Sequence, residues 1–419
     1  MRIKHIGENN TVKIWLINHY AVPPRYYPLA RPSLFAKNLI KMGHEVTIIA
    51  ASTVHNSDCQ NLIDDGSKVK YITDEGISYV LINCKPYKGN GKDRVINILQ
   101  FAHRLQNVLN HLEKPDAIVA TSFDPFTCYE GIKFAKKHGI KAVAEIADLW
   151  PETLVAYNGV SSKNPAVIYL RHIEKKIYNM ADRIVFTMEG AYDYIREQGW
   201  ENLIPKNKVE YINNGIDLEQ FDYNVKHYQI DDDDLNDSES FKVVYTGSIR
   251  KVNDLSLLID VANEIKNNEI KFLIWGDGDD LENLKIRIKK ECISNVIFKG
   301  KVQKKYVPYI TSHSDLNIMH NRYSPIFRFG ISLNKMFDYL AAGKPILVDF
   351  HSRYNPAIES EGAIESVDNT AEGIAELIQK FAKMAKDERN MLGANSRTGA
   401  TKYDFKVLTQ RLVDLIEGI

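Results

Sequence analysis

Between Phe329 and Pro345 the chain reads Phe-Gly-Ile-Ser-Leu-Asn-Lys-Met-Phe-Asp-Tyr-Leu-Ala-Ala-Gly-Lys-Pro. Ser332 has the hydroxyl of an N-cap, Gly343 falls where helices end in a glycine, and Pro345 blocks continuation, so the spacing predicts a helix over 332–342. Gly330, just before the cap, would let the backbone come close to a ligand. The amides of Ile331, Ser332, Leu333 and Asn334, aided by the helix dipole, would then form an anion site. Lys335 and Asp338 are three residues apart and share a face. Together these residues predict a phosphate held by helix amides and Lys335, while Asp338 accepts hydrogen bonds from sugar hydroxyls, as a nucleoside diphosphate sugar needs. Periodicity alone also allows an ordinary capped helix with an i,i+3 ion pair.

Such a helix must be carried by strands. The run Asp315 to Met319 precedes it and Pro345 to Asp349 follows, and the same alternation fills the chain. Strand Val12 to Ile17, a turn-rich loop through Pro23 and Pro24, a helix through Leu34 and Leu39, and strand Glu45 to Ala50 make a β-loop-α-β opening. Apolar runs at 117–120, 142–146 and 183–187 predict further buried parallel strands, with a helix over 127–138. The pattern restarts with strands at 242–246, 270–275 and 296–298. A chain of 419 residues exceeds a single core. The expected fold is therefore α/β, two Rossmann-like domains facing each other across a cleft: residues 1–222, completed by a C-terminal helix over 402–419, and residues 241–401. The acidic stretch 223–240, with Asp231, Asp232, Asp233 and Asp234, reads as a solvated linker or loop.

Equal numbers of Lys+Arg and Asp+Glu, 54 each, argue against a nucleic-acid binder. The four cysteines, Cys59, Cys84, Cys128 and Cys292, form no C-x-x-C pair, which suits a reducing compartment. No secretory leader or spanning run is evident, so a cytoplasmic location is expected, with peripheral attachment at the inner face of the cytoplasmic membrane left open.

The run from Phe329 resembles the signature of the retaining nucleotide-sugar glycosyltransferases of the GT-B fold, family 4 of the carbohydrate-active enzymes. It is most similar to the bacterial branch that builds O-antigen and capsular polysaccharide, including N-acetyl-fucosaminyl transferases. That family carries two glutamates eight residues apart here; Asp338 matches the second, which binds ribose, and the first falls on Gly330. Asn213-Asn214-Gly215-Ile216-Asp217, then Phe221, resembles the family turn between domains. Glu145-Ile146-Ala147-Asp148-Leu149-Trp150-Pro151-Glu152 resembles a cleft-facing loop, with Ala147 in place of an arginine.

By this resemblance, Asp148, Arg250 and Lys335 are the catalytic candidates. Gly247, Ser248 and Lys251, in the glycine turn after the strand at 242–246, join Gly300, Val302, Gly330, Ile331, Ser332, Asn334 and Asp338 on the donor side. The family's Arg and Lys positions in that turn are Ser248 and Asn253 in this chain, and Arg250 supplies the better fork for a diphosphate. His19, Tyr20, Arg25, Arg31 and Trp150 fall on the acceptor side. Asp277 and Asp279 form a D-x-D that reads as a tight turn, so neither metal nor another cofactor is expected. Tyr26, Tyr27, Tyr87 and Phe101 suit either an interfacial patch or a core.

The resemblance implies a retaining hexosyltransferase that moves an N-acetylhexosamine or related deoxysugar from a UDP-sugar to a saccharide or lipid-linked saccharide. An epimerase, a phosphorylase and a non-catalytic GT-B partner that binds sugar nucleotides stand as alternatives.

Overall fold

The computed structural model of the chain describes residues 11–27, 30–55, 57, 60–89, 91–265, 269–366 and 368–419; Cys59 lies outside them. The apolar runs become strands whose side chains alternate between two covered faces. In the strand Phe241–Thr246, Val243 and Tyr245 pack with Leu258, Ile259 and Ile378 on one face. Val244 packs on the other with Leu273, Trp275 and Ile310. A strand buried on both sides has no polar face to show, which is why these segments read as continuous apolar runs.

Contacts divide the chain into a unit of Met1–Asn213 with Leu408–Ile419, and a unit of Asn214–Val407. The first contains β1 (Lys13–Ile17), β2 (Glu45–Ala51), β3 (Val69–Asp74), β4 (Ile77–Ile82), β5 (Ala117–Thr121), β6 (Lys141–Ile146), β7 (Arg183–Phe186) and β8 (Val209–Tyr211). They form one sheet in the order β3-β4-β2-β1-β5-β6-β7-β8, parallel except for the β3–β4 hairpin. That hairpin turns through Glu75 and Gly76, both at positive φ, and falls in the stretch from 51 to 116 where the sequence reading placed no elements. The second unit contains β9 (Phe241–Thr246), β10 (Ile270–Trp275), β11 (Val296–Gly300), β12 (Leu316–Met319), β13 (Ile346–Val348) and β14 (Ala363–Glu365). Its sheet is wholly parallel, in the order β11-β10-β9-β12-β13-β14.

The boundaries differ from those expected. The second unit starts at Asn214 rather than after a linker, because Asp217 caps the helix Leu218–His227 by accepting from the Gln220 amide at 2.9 Å, and Phe221 is buried. The acidic stretch is no linker either. Asp232 caps a short helix, Leu235 is buried against Val244 and Trp275, and two lysines pair with Asp232, Asp234 and Asp237. Lys299 reaches Asp232 and Asp234 at 2.7 Å, and Lys271 reaches Asp237 at 2.9 Å. Self-repulsion is relieved by partners on β10 and β11 that lie far away in sequence. The C-terminal helix spans Phe405–Glu417, with Leu408, Leu412 and Ile416 buried, and Lys141 Nζ donates to the Ile416 carbonyl at 2.9 Å.

Candidate functional site

In the second unit the strand order reverses between β9 and β12. Ligands of open parallel sheets bind beyond the carboxyl ends of the strands at such a reversal. Gly247 follows β9, His320 follows β12 and Asp349 follows β13. The turn after β9 is laid backbone to backbone on the turn after β10. A Cβ on Gly276 would stand 1.8 Å from the Gly247 carbonyl oxygen, and one on Gly278 2.2 Å from that of Ile249. Only glycine permits this approach.

Asp277 and Asp279 are consumed in that packing, accepting from the Gly278 amide at 2.8 Å and the Lys251 amide at 3.1 Å. Ser248 and Asn253, at the two positions where the family carries cations, bond to each other through Oγ and Nδ2 at 2.8 Å. Arg250 and Lys251 are exposed, and their cationic groups have no polar partner among the described residues.

The helix beyond β12 runs over Asn334–Ala342 and ends on Gly343 at φ 65°, as its sequence indicates. Its start is a correction. The N-cap is Leu333, with no side-chain cap, and the buried Ser332 Oγ has no partner. The first-turn amides are thereby left without a side-chain acceptor. The Ser332 carbonyl instead accepts from Asn214 Nδ2 at 3.0 Å.

Lys335 does not pair with Asp338. Its Nζ donates to the His320 carbonyl at 2.6 Å and to Tyr245 Oη at 3.2 Å, and sits 4.4 Å above the Tyr245 ring. Burial pushes the ammonium down to about 8, against the opposing charge of Asp349. Asp338 is 2% exposed; one carboxylate oxygen accepts from Lys304, and the other, Oδ1, is buried without a partner. Ile331 is buried and Asn334 exposed. Gly300 at φ 76° accepts from the Gly276 amide at 2.9 Å, while the Val302 side chain packs near Leu235, so both have only backbone to offer.

Gly330 has φ 111° and ψ 172°, a region essentially restricted to glycine. A glutamate could not stand here on the same backbone. Gly330→Glu is expected to cost roughly 1–3 kcal/mol of stability; an unchanged urea midpoint would contradict the assigned strain.

In the first unit the order reverses between β1 and β5, which brings His19 and Asp124 together. His19 Nδ1 is 3.9 Å from Asp124 Oδ2, and Nε2 faces Asn97 Oδ1 at 2.6 Å. The Asn97 amide nitrogen is committed to Thr53 Oγ1 and the Lys85 carbonyl, so its Oδ1 takes the proton on His19 Nε2 and the Nδ1 lone pair points at Asp124. Burial pushes His19 down to about 3 and Asp124 up to about 6, the latter against hydrogen bonds from Thr127. Asp148, beyond β6, is accessible to water by surface area; its carboxyl is nevertheless pushed up to about 6 by desolvation from the protein walls around it, with Arg94 pulling down. Trp150 is half-buried and precedes a cis proline.

The structure gives the other acceptor-side candidates these surroundings. Arg31 is buried: Nε donates to Glu145 Oε1 at 2.9 Å and Nη2 to the Ile212 carbonyl at 2.9 Å, contacts that tie the first unit together. Tyr20 is buried and accepts from Arg94 Nε at 3.0 Å. Arg25 is exposed, paired with Asp74 at 3.1 Å and stacked over Tyr26. Tyr87 and Phe101 are core residues, so no patch of four aromatics forms. Sequence reasoning missed Asn97, Arg94 and Asp124. The first two lie on the unread helix Lys92–Asn110, but Asp124-Pro125 carried a legible helix-start signal, an N-cap Asp followed by proline.

Two Rossmann-like units in series, each built on a largely parallel sheet, make the GT-B fold of the family-4 glycosyltransferases. The chain belongs to that family: residues 34–220 match the family model described as Glycosyltransferase Family 4, and residues 229–399 match Glycosyl transferases group 1. It is similar to the putative teichuronic acid biosynthesis glycosyltransferase TuaH of Bacillus subtilis, 25% identical over 209 residues. That match covers 49% of this chain and 50% of the relative, so the chain spans about half the length of the curated relative it matches. Among solved structures, sucrose-phosphate synthase from Thermosynechococcus elongatus superposes with a TM-score of 0.71 at 14% identity, covering 97% of this chain and 98% of that one. Anabaena HepE in complex with UDP gives a TM-score of 0.67 at 11% identity, covering 97% and 100%. Among the described residues no helix is long and apolar enough to cross a membrane.

Proposed function

We propose that the chain transfers a sugar, an N-acetylhexosamine or related deoxysugar, from a UDP-sugar to a hydroxyl of a lipid-linked saccharide during cell-surface polysaccharide synthesis, with retention at the anomeric carbon. The observation that carries this reading is the helix Asn334–Ala342, whose uncapped amides, half-buried Lys335 ammonium and buried Asp338 carboxylate with one unpaired oxygen lie within three turns of each other. Amides and ammonium suit a diphosphate, and the unpaired carboxylate oxygen suits ribose hydroxyls. The UDP bound by HepE and the teichuronic acid biosynthesis in TuaH's name support this reading.

Departure of UDP builds charge on its β-phosphate, so dipoles and cations fixed there act more strongly on the transition state than on the substrate. The helix amides and Lys335 would supply them, and Arg250, exposed and without a polar partner among the described residues, is read as joining them. The leaving phosphate takes the acceptor proton, and Asp148 and His19 line the acceptor side. The cations the reaction needs come from the chain, so transfer is expected to proceed without a divalent metal. The acceptor lipid places the enzyme peripherally at the inner membrane face.

The test is thermal stabilisation by UDP, GDP, ADP and UDP-N-acetylhexosamines side by side. A ligand at a hundred times its Kd stabilises by about 2.7 kcal/mol, so UDP and one UDP-sugar are expected to shift the melting temperature selectively. No shift with any nucleotide would sink the reading in favour of a non-catalytic partner, which Gly330 in place of the family's first glutamate favours. A second prediction concerns Asp338. Asp338→Asn is expected to lower UDP affinity about 10–100-fold, the scale of a hydrogen bond to a charged group. The variant should also become indifferent to removing the ribose 2′-hydroxyl, to which the parent is sensitive; isothermal titration with UDP and 2′-deoxy-UDP reads both.

A further inference from the structure

His320 and Asp349 stand at the carboxyl ends of β12 and β13 with side chains 1% and 0% exposed. His320 Nδ1 bonds Asp349 Oδ2, and Nε2 lies 2.9 Å from the carbonyl oxygen of Asp254. Both ring nitrogens are therefore held, Nδ1 by the Asp349 carboxyl and Nε2 by the Asp254 carbonyl. The ring and the carboxyl form a buried polar pair. Stability alone would not call for such a pair, since apolar side chains of similar volume often replace buried ion pairs at no cost.

The three partners of His320 belong to three pieces of the donor site. Asp254 closes the turn begun by Gly247 and carrying Arg250; it holds the left-handed conformation, φ 55°, that non-glycine residues rarely adopt. Asp349 ends β13. The His320 carbonyl accepts from Lys335 Nζ at 2.6 Å. The same turn is linked to Lys335 a second time through Tyr245, whose hydroxyl donates to the Ser248 carbonyl at 3.2 Å and accepts from Lys335.

We propose that His320 is a positioning residue for the donor diphosphate: its ring, anchored by Asp349, clamps the 247–254 turn, and its carbonyl aims Lys335, so that the cation-bearing turn and the helix terminus are set as one unit. This rests on the donor-site reading above, and extends it from the residues that would touch the diphosphate to one that would act through them. Phosphate recognition depends on placing several donors at once, and a turn free to move would forfeit Arg250 even with Lys335 intact.

The experiment uses the full chain. His320→Phe fills the space and removes both ring nitrogens, whereas His320→Gln keeps a donor able to reach the Asp254 carbonyl. Amide hydrogen exchange across residues 248–254 and UDP affinity by titration calorimetry are measured for each folded variant. His320→Phe is expected to raise exchange in that turn selectively, by roughly tenfold, and to weaken UDP binding by a similar factor, the size of one or two lost hydrogen bonds. His320→Gln should recover part of both. Unchanged exchange at 248–254 in folded His320→Phe overturns the proposal, as does faster exchange spread evenly over the chain, which a merely structural role would produce. Should His320→Phe fail to fold, Asp349→Asn, which unseats the ring, is read by the same two measurements. If the turn loosens but the parent chain binds no nucleotide, the clamp is supported and the donor reading fails.

Discussion

Lys335→Met is expected to lose UDP affinity by about 10–150-fold while its melting temperature at pH 7 holds or rises. A charge-assisted hydrogen bond contributes roughly 1.5–3 kcal/mol, which sets the binding loss. If the lysine also meets charge that develops on the leaving phosphate, the transfer step should fall further, by about 10²–10³. Stability moves the other way because burial of the ammonium opposes folding: its pKa drops from 10.5 to about 8. The sign follows from proton counts. Between pH 8 and 10.5 the unfolded chain holds the lysine proton more tightly than the folded one, so stability owed to this group rises with pH across that window. UDP binding requires the protonated form and should weaken across the same window. Calorimetry from pH 7 to 10 checks both. A Lys335→Met chain that binds UDP normally would remove Lys335 from the donor site, and a melting temperature well below the parent's would show that Lys335 packs rather than binds.

Arg31→Ala is expected to be the most damaging single change to the first unit. The guanidinium side chain is 8% and the Glu145 side chain 6% exposed. Removing one member of a buried pair leaves the other charge uncompensated, at a cost of about 3–5 kcal/mol. Glu145 would keep only the Thr121 hydroxyl, at 2.8 Å, and the carbonyls of Ile212 and Asn213 would lose a donor. A fall in melting temperature of roughly 10 °C follows for a unit of this size. UDP affinity below the transition should be unaffected, because the donor residues all belong to the second unit. Arg31 as an acceptor ligand would give the opposite pattern, normal melting with impaired transfer, so scanning calorimetry and a UDP titration on one sample separate the roles.

The contrast between these two positions shows what was legible in the residues alone. Lys335 could be set on its helix because the setting is local: the helical period and the glycine end are settled within about ten residues, and both are readable from residue type. The apolar runs likewise announced parallel strands, and their alternation with helices announced two doubly wound sheets. Less was legible where a residue had more than one plausible partner. Ser332 has the chemistry of a cap, yet the helix starts at Asn334 and the hydroxyl is left buried and unpaired.

Arg31 in a loop rich in proline and tyrosine looks like a ligand contact until Glu145, 114 residues later, is brought beside it by the β1–β5–β6 order. Four consecutive aspartates look like a solvated linker until β10 and β11 deliver Lys271 and Lys299. The His320–Asp349 pair has no sequence signature at all, because two strands had to lie side by side before the ends could meet. Residue type and local spacing were enough for the architecture and for the end of the helix at Gly343. Which charge meets which was settled in the folded chain, because pairing depends on distance in space, and strand order, not chain order, sets that distance.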